Sequence, residues 1–352
     1  MNWPAPTLAD VFKARRAIAP YLPRTPFLEP SGLARALGCR AVLKCENLNP
    51  TGAFKVRGGV NLVASLTPDE RARGVVAAST GNHGQSVAYA ARLFGVRATI
   101  FMPEAANPLK AEATEALGAE VVRTGRDFDA ARLAAEEFAE RHRVRYIHSS
   151  NEPLLVAGVA TAALELLESV PELEVLFVPV GGGSGVLGAG VVARAVNPAI
   201  RVVGVQAEGA PAVYRSWREG RRVVTDNVAT FAEGLATREP FEMPLALFPR
   251  LVDQILLVND DQLTAAIRLI LETARQVAEG AGAAPVAAAM ARRDELAGKA
   301  VGLILSGGNI TTEQLRRILD SGPPAQPGES SCGERPDAAT RGTTAGTIGQ
   351  DH

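Results

Sequence analysis

The amino-acid sequence predicts an α/β protein of two domains, each an open, mostly parallel, twisted sheet with helices on both faces. From about residue 40 to 310, short β-branched runs alternate with apolar-periodic stretches of helical length. Such alternation is typical of parallel sheets covered by helices. The chain has 352 residues, which is long enough for two domains that each bury a core.

Strands are predicted where short apolar runs interrupt the helical periodicity. In chain order they are VVAAS (75–79), ATIFMP (98–103), AEVVRTG (119–125), VRYIHS (144–149), VLFVPV (175–180), RVVGVQAE (201–208) and AVGLILSGG (300–308). Helices are predicted for GQSVAYAARLFG (84–95), NPLKAEATEALGA (107–119), ARLAAEEFAERH (131–142) and PLLVAGVATAALELLESV (153–170).

The last residues, 321–352, differ from the rest of the chain. They are rich in Pro, Gly, Ser and Thr and show no apolar period. A segment of this composition buries too little apolar surface to offset its ordering entropy. We therefore expect a disordered tail, in which Cys332 has no catalytic role.

Composition excludes several classes of function. The formal net charge is -1, with 37 basic and 38 acidic residues, so no basic surface is predicted for nucleic acid or an acidic membrane. We see neither an apolar run long enough to span a bilayer nor a signal peptide. Three cysteines and four histidines without ligand spacing predict neither a disulfide framework nor a metal site. A reducing cytoplasm is the expected location.

A glycine loop between a strand and an apolar helix is the strongest general motif, in VLFVPVGGGSGVLGAGVVARAV (175–196). Backbone N–H groups and a helix N-terminus converge there, as in phosphate sites. Gly183, Gly185 and Gly188 also fit the dinucleotide pattern, and Glu208 lies twenty residues beyond Gly188, where a ribose-binding acid would be. This stretch alone leaves two hypotheses open, a monophosphate site and a nicotinamide oxidoreductase.

Three further segments bear on that choice. In PTGAFKVRGG (50–59), Lys55 is flanked by small residues, so a flat ring could approach an amine whose pKa is lowered by partial burial. These are the requirements for a Schiff base with an aldehyde cofactor. In STGNHGQ (79–85), small and polar groups precede a predicted helix and are suited to binding a carboxylate. The third segment, SGGN (306–309), follows a predicted strand.

Together these motifs resemble those of the pyridoxal-phosphate enzymes of the tryptophan-synthase-β fold type, in the branch of serine and threonine dehydratases and serine racemase. The resemblance covers roughly residues 10 to 320, with the motifs in the family's order, and VAEGAGAA (277–284) matches a further segment. It implies pyridoxal 5'-phosphate (PLP) as cofactor, fold type II and a homo-oligomer, a dimer or tetramer. It also implies a large PLP-binding domain (1–48 and 149–320) and a small domain (49–148).

The resemblance also implies a role for each matched residue. Lys55 would hold the cofactor as an internal aldimine and then act as general base, and Phe54 would pack beside the cofactor. Asn82 would donate to its phenolic oxygen, and Ser306 would face the pyridine nitrogen with Glu279 nearby. The phosphate loop would be Gly181, Gly182, Gly183, Ser184 and Gly185. The substrate-carboxylate loop would be Ser79, Thr80, Gly81, Asn82 and His83.

The implied reaction is β-elimination of water from L-threonine or L-serine, a small amino-acid substrate, giving 2-oxobutyrate or pyruvate and ammonia. Two departures from the family's pattern matter. Thr80 replaces a residue that is alanine in many dehydratases and serine in serine racemase, so an amino-acid racemase stays an alternative. Tyr214 stands where metal-binding members carry a second acid beside Glu208, so a divalent metal site is not expected. Dehydration of another β-hydroxy amino acid, such as hydroxyaspartate or phenylserine, is a further alternative.

Overall fold

The computed structural model describes residues 3–321, so the predicted tail (321–352) lies, except for its first residue, outside the described part of the chain. The helices of this part are α1 Leu8–Ile18, α2 Ser31–Leu37, α3 Lys55–Ala64, α4 Pro68–Arg73, α5 Asn82–Leu93, α6 Pro108–Ala116, α7 Phe128–His142, α8 Pro153–Ser169, α9 Ser184–Val196, α10 Ala212–Glu219, α11 Glu242–Leu251, α12 Asp260–Ala274, α13 Gly280–Ala291, α14 Arg293–Leu296 and α15 Thr312–Asp320. Short 3-10 helices span Glu46–Leu48 and Glu233–Leu235.

The strands are β1 Phe27–Leu28, β2 Arg40–Cys45, β3 Val75–Ala78, β4 Ala98–Met102, β5 Glu120–Arg123, β6 Arg145–Tyr146, β7 Val175–Pro179, β8 Arg201–Ala207, β9 Gln254–Val258 and β10 Ala300–Leu305. They form a six-stranded sheet in the order β1-β2-β10-β7-β8-β9 and a four-stranded sheet in the order β5-β4-β3-β6. Every pairing is parallel except that of β1 with β2. The predicted α/β class with mostly parallel sheets is confirmed.

The buried strands of the larger sheet carry apolar side chains toward both faces, as parallel sheets require. Leu303 of β10 pairs in register with Leu43 of β2 and Phe177 of β7, and all three side chains are buried. One core lies between this sheet and α2, α12 and α13, and another between it and α1, α8 and α9. The four-stranded sheet packs on α3 and α5 on one face and on α7 on the other.

Local sequence explains where several helices begin. Pro153 occupies the first turn of α8, where its missing N–H costs nothing. Thr7, Thr67, Asn259 and Thr311 cap α1, α4, α12 and α15 through reciprocal side-chain bonds, which satisfy backbone N–H groups that a helix start leaves unpaired. Within residues 3–321, no helix combines the length and apolar character needed to cross a bilayer.

Candidate active site

A cavity of about 910 Å³ lies beside the carboxyl ends of β3 in the four-stranded sheet and of β7 and β10 in the six-stranded sheet. Parallel strands direct the loops that follow them to one edge of a sheet, and ligands bind there in open α/β folds. Every residue that the sequence analysis assigned to the site lines this cavity: Phe54, Lys55, Ser79, Thr80, Gly81, Asn82, His83, Gly181, Gly182, Gly183, Ser184, Gly185, Glu279 and Ser306.

Lys55 is the first residue of α3, and its amine points into the cavity. The Nζ atom donates to Ser184 Oγ at 2.8 Å and to Ser149 O at 3.2 Å. Burial lowers the pKa of this amine to about 8, because a desolvated ammonium is disfavoured. A substantial fraction is therefore neutral near physiological pH, as a nucleophile or proton acceptor requires.

The glycines that follow Lys55 serve helix packing. A Cβ at Gly59 would overlap Ser86 of α5, and a Cβ at Gly58 would lie 2.8 Å from a Leu155 side-chain atom of α8. Glycine at both positions lets α3 approach its two neighbours closely. The small residues around Lys55 predict access for a flat ring, but Gly58 and Gly59 contact helices and do not line the cavity.

Four buried charged residues fix the start of α3, and we call them the buried ion cluster: Lys44, Glu46, Arg57 and Glu165. Arg57 Nε donates to Glu46 at 2.7 Å, and its Nη1 donates to Glu165 at 2.7 Å. Lys44 Nζ donates to Glu165 at 2.7 Å. Because Arg57 lies two residues after Lys55, the cluster ties the reactive lysine's helix turn to β2 and α8.

Asn82 is held by side-chain hydrogen bonds at both ends of its amide. Asn309 Nδ2 donates to Asn82 Oδ1 at 2.7 Å, and Asn82 Nδ2 donates to Glu279 Oε1 at 2.7 Å. Burial raises the pKa of Glu279. An amide nitrogen carries two hydrogens, so Asn82 keeps one for a ligand. Asn309, the last residue of the SGGN segment, has no role predicted from sequence, and the structure places it beside Asn82.

The loop from Gly181 to Gly185 follows β7 and runs into the first turn of α9. A Cβ would overlap Gly234 O if added to Gly181 and Ser150 Oγ if added to Gly182. Gly183 has φ +97°, a conformation that favours glycine. The first N–H groups of a helix have no intrahelical partner, so the start of α9 faces the loop with donors available for a phosphate. The loop therefore fits a phosphate-bearing cofactor, and we call it the phosphate cradle.

The loop from Ser79 to His83 joins β3 to the start of α5. His83 Nε2 lies 3.0 Å from Ile147 O, and burial, together with the nearby Lys55 charge, lowers the pKa of His83 to about 3. A carbonyl accepts hydrogen bonds, so Nε2 carries the proton and Nδ1 is an acceptor. Neutral His83 therefore has no ring N–H left to donate to a substrate carboxylate.

Acidic and basic side chains alternate around the outer part of the cavity. Among the described residues, each of four cations there lies within ion-pair distance of an acid: Lys110 with Glu233, Arg126 with Asp127, Arg132 with Asp129 and Glu136, and Arg238 with Asp129. Glu208, the acid of the nicotinamide hypothesis, is exposed at the end of β8 and does not line the cavity. In residues 3–321, no group of three or more His, Cys, Asp or Glu side chains could hold a metal ion.

Fold and site together define a class of protein. Parallel α/β sheets place a desolvated lysine beside a glycine cradle that fits a phosphate, which describes an enzyme that holds a phosphorylated aldehyde cofactor through lysine. The family profile described as "Pyridoxal-phosphate dependent enzyme" matches residues 18–307. The chain belongs to this family, and its cofactor is PLP.

Within this family, the chain is similar to enzymes that act on hydroxy amino acids. The chain is 42% identical over 316 residues to an L-threonine ammonia-lyase of Thermotoga maritima, a match that spans 90% of this chain and 79% of the relative. It is 37% identical to an L-threo-3-hydroxyaspartate ammonia-lyase of Saccharomyces cerevisiae, over 89% of this chain and 96% of the relative. The structure of maize serine racemase superposes with a TM-score of 0.85 at 29% identity, over 90% of this chain and 97% of that chain.

Proposed function

We propose that this chain is an L-threonine ammonia-lyase, which removes water from L-threonine to give 2-oxobutyrate and ammonia and acts on L-serine as a second substrate. The observation that carries the proposal is the Lys55 amine, which lies beside the phosphate cradle with its pKa lowered to about 8 by burial. The 42% identity to the Thermotoga maritima enzyme supports the same reaction.

The residues that would hold PLP follow from their positions on the cavity wall. Lys55 would bind the cofactor covalently, and the phosphate cradle would bind its phosphate. Asn82 would donate its remaining amide hydrogen to the phenolic oxygen, and Ser306 would face the pyridine nitrogen. Phe54 would pack beside the ring, with Glu279 nearby. When bound, PLP supplies an electron sink for the charge left at the substrate's Cα.

Lys55 would also move the substrate's proton. Once released from the cofactor, an amine with a pKa of about 8 would accept the Cα proton near neutral pH. The proton that Lys55 takes up balances the one that the β-hydroxyl needs in order to leave as water. The substrate carboxylate would bind to the loop of Ser79, Thr80 and Gly81 and to the first N–H groups of α5. His83, which has no N–H to spare, would position this loop through Ile147.

The paired charges around the cavity favour a substrate with a neutral side chain. The four cations that line its outer part are matched by nearby acids, so a second substrate carboxylate would lie close to an acid at each of them. Burying a charge without a partner is costly. This arrangement ranks L-threonine and L-serine above 3-hydroxyaspartate, the substrate in the name of the yeast relative.

Thr80 is the residue that bears on whether the chain racemises its substrate or eliminates water from it. Racemisation needs a proton donor or acceptor on each face of the planar carbanion, and Lys55 serves one face. The Thr80 side chain is half-buried on the cavity wall, but a hydroxyl is a poor base and the β-methyl group restricts its χ1 rotamers. Elimination should therefore dominate, with racemisation as a minor activity. A cytoplasmic location and a homo-oligomeric state stay predictions.

The test is ammonia and 2-oxo-acid release by the purified chain from L-threonine, L-serine and L-threo-3-hydroxyaspartate. We expect the highest kcat/KM with L-threonine and the lowest with hydroxyaspartate. Lys55→Ala, as the control, should show no turnover and none of the visible absorbance of lysine-bound PLP. A kcat/KM that is highest for hydroxyaspartate, or turnover that survives Lys55→Ala, would overturn the proposal.

A further inference from the structure

Ser150 is a fully buried serine on the wall of the active-site cavity. Its relative exposure is 0%, and its Oγ has no hydrogen-bond partner among the described residues. A buried hydroxyl without a partner costs about 1–3 kcal/mol. Because Ser150 also lines the cavity, a bound ligand could supply the missing partner.

The hydroxyl faces the phosphate cradle. A Cβ added to Gly182 would overlap Ser150 Oγ, so the hydroxyl occupies the space beside the second glycine of the loop. Both residues line the same cavity. The carbonyl of the adjacent residue, Ser149, accepts a hydrogen bond from Lys55 Nζ at 3.2 Å, so this short segment contacts both the reactive amine and the cradle.

The turn that carries Ser150 is held rigidly. His148 Nδ1 accepts hydrogen bonds from the N–H groups of Ser150 at 3.0 Å and Asn151 at 2.9 Å. Burial lowers the pKa of His148 to about 4, so Nδ1 stays an acceptor at neutral pH. The His148 ring packs edge-on against the Phe241 ring, with the two ring centroids 4.6 Å apart. Asn151 Oδ1 accepts a hydrogen bond from the backbone N–H of Met243 at 3.1 Å. The hydroxyl is thus positioned before any ligand arrives.

We infer that Ser150 is an additional phosphate ligand, whose hydroxyl donates to an oxygen of the PLP phosphate beside Gly182. A phosphate oxygen is a charged acceptor, so the bond is stronger than one between neutral groups. The inference rests on the phosphate cradle proposed above but not on which amino acid is the substrate. None of the sequence motifs contains Ser150, because its role depends on a contact with a loop that is about thirty residues away.

The experiment compares PLP with pyridoxal, which lacks the phosphate, as ligands of the full chain freed of cofactor. Ser150→Ala should weaken PLP binding about tenfold to a hundredfold, which corresponds to about 1.4–2.8 kcal/mol, and should leave pyridoxal binding within about twofold. The 31P resonance of bound PLP should also shift. Without cofactor, the variant should be at least as stable as wild type, because an unpaired hydroxyl has been removed.

Ser216→Ala is the matched control, since Ser216 is also buried but donates to Ala212 O at 2.6 Å, away from the cavity. It should lower stability and leave PLP affinity unchanged. Ser150→Cys, which keeps the size of the side chain with a weaker donor, replaces the alanine variant if that variant does not fold. Unchanged PLP affinity, or an equal loss of PLP and pyridoxal affinity, would overturn the assignment. No amino acid is present in this titration, so its outcome is independent of the substrate test.

Discussion

Replacing Arg57 with methionine tests whether the buried ion cluster sustains the fold around Lys55. Arg57 is 1% exposed and donates to Glu46, Glu165, Thr161 and Thr25. Arg57→Met removes one of two cations and leaves both carboxylates buried. Glu165 keeps Lys44 Nζ at 2.7 Å, whereas the nearest cation left to Glu46 is Lys44 at 3.9 Å. Uncompensated charge should therefore concentrate at Glu46.

The magnitude follows from that imbalance. Removing one partner of a buried ion pair typically costs about 3–5 kcal/mol, a large part of the stability of an ordinary domain. We expect the free energy of unfolding to fall by about that amount at pH 7.5. Urea unfolding of PLP-free variants measures it, because bound cofactor would add to the apparent stability. Arg317→Met, which breaks an exposed pair with Glu313, should cost less than about 0.5 kcal/mol.

The pH dependence separates lost charge pairing from lost packing. In the wild type, burial raises the pKa of Glu46, but the charges of Arg57 and Lys44 and the hydrogen bonds from Arg57 and Thr25 together outweigh this and leave it below the ordinary 4.5. Without Arg57 the burial effect prevails and the pKa of Glu46 rises. When folding raises the pKa of an acid, the protein loses stability as the pH increases from the pKa of that acid in the unfolded state to its pKa in the folded state. The deficit of Arg57→Met should thus shrink as pH falls toward 4.5.

Two results would refute this reasoning. One is a deficit below about 1 kcal/mol at pH 7.5, and the other is a deficit that does not change with pH. The double variant Glu46→Gln/Arg57→Met should recover part of the lost stability, because the unpaired charge is gone. If the double variant is less stable than Arg57→Met, the cost arises from lost packing and hydrogen bonds.

Two further predictions concern the cavity itself. Gly183→Asp places a negative charge and a side chain at φ +97° against Pro244, so PLP affinity measured by absorbance titration should fall at least about tenfold. Gly220→Asp, at φ +66° with open space around it, is the control for backbone strain and should bind PLP as the wild type does. If the wild type and both variants bind PLP with equal affinity, residues 181–185 do not bind the phosphate. Thr80→Ala should leave ammonia release within about tenfold, or about 1.4 kcal/mol in barrier. If the wild type converts L-serine to D-serine faster than to pyruvate, and Thr80→Ala does not, the chain is a racemase.

The segments that could be predicted from sequence are those whose structure depends on neighbours in the chain. Strands β3, β4, β7, β8 and β10 were predicted because each is a continuous apolar run, and their ends agree with the prediction to within three residues. Helix α7 starts at Phe128, three residues before its predicted start, because the cap at Asp127 extends it beyond the apolar periodicity. Parallel strands place the glycine loop at the carboxyl edge of the six-stranded sheet and the 79–83 loop at the carboxyl edge of the four-stranded sheet, and both loops line the same cavity.

The strands that were missed depend on distant partners. Strand β1 has two residues and exists through antiparallel pairing with β2. Strand β9, QILLV, was not predicted, and three of its five side chains stay partly exposed at the edge of the sheet. Strand β2 contains Lys44, whose charge argues against a buried strand until Glu165, 121 residues further on, is placed beside it. No local pattern contains that information.

The same distinction explains what the lysine motif does. From the sequence alone, all residues around Lys55 are predicted to serve a cofactor, because the motif shows only which neighbours a reactive amine has along the chain. In the folded chain, the motif divides into two sets with different partners. Phe54 and Lys55 line the cavity, whereas Arg57, Gly58 and Gly59 face the protein and hold α3 against its neighbours. Burial is what lowers the pKa of Lys55 to about 8. The buried ion cluster has a different role, because it holds the helix turn that carries the amine while none of its residues lines the cavity.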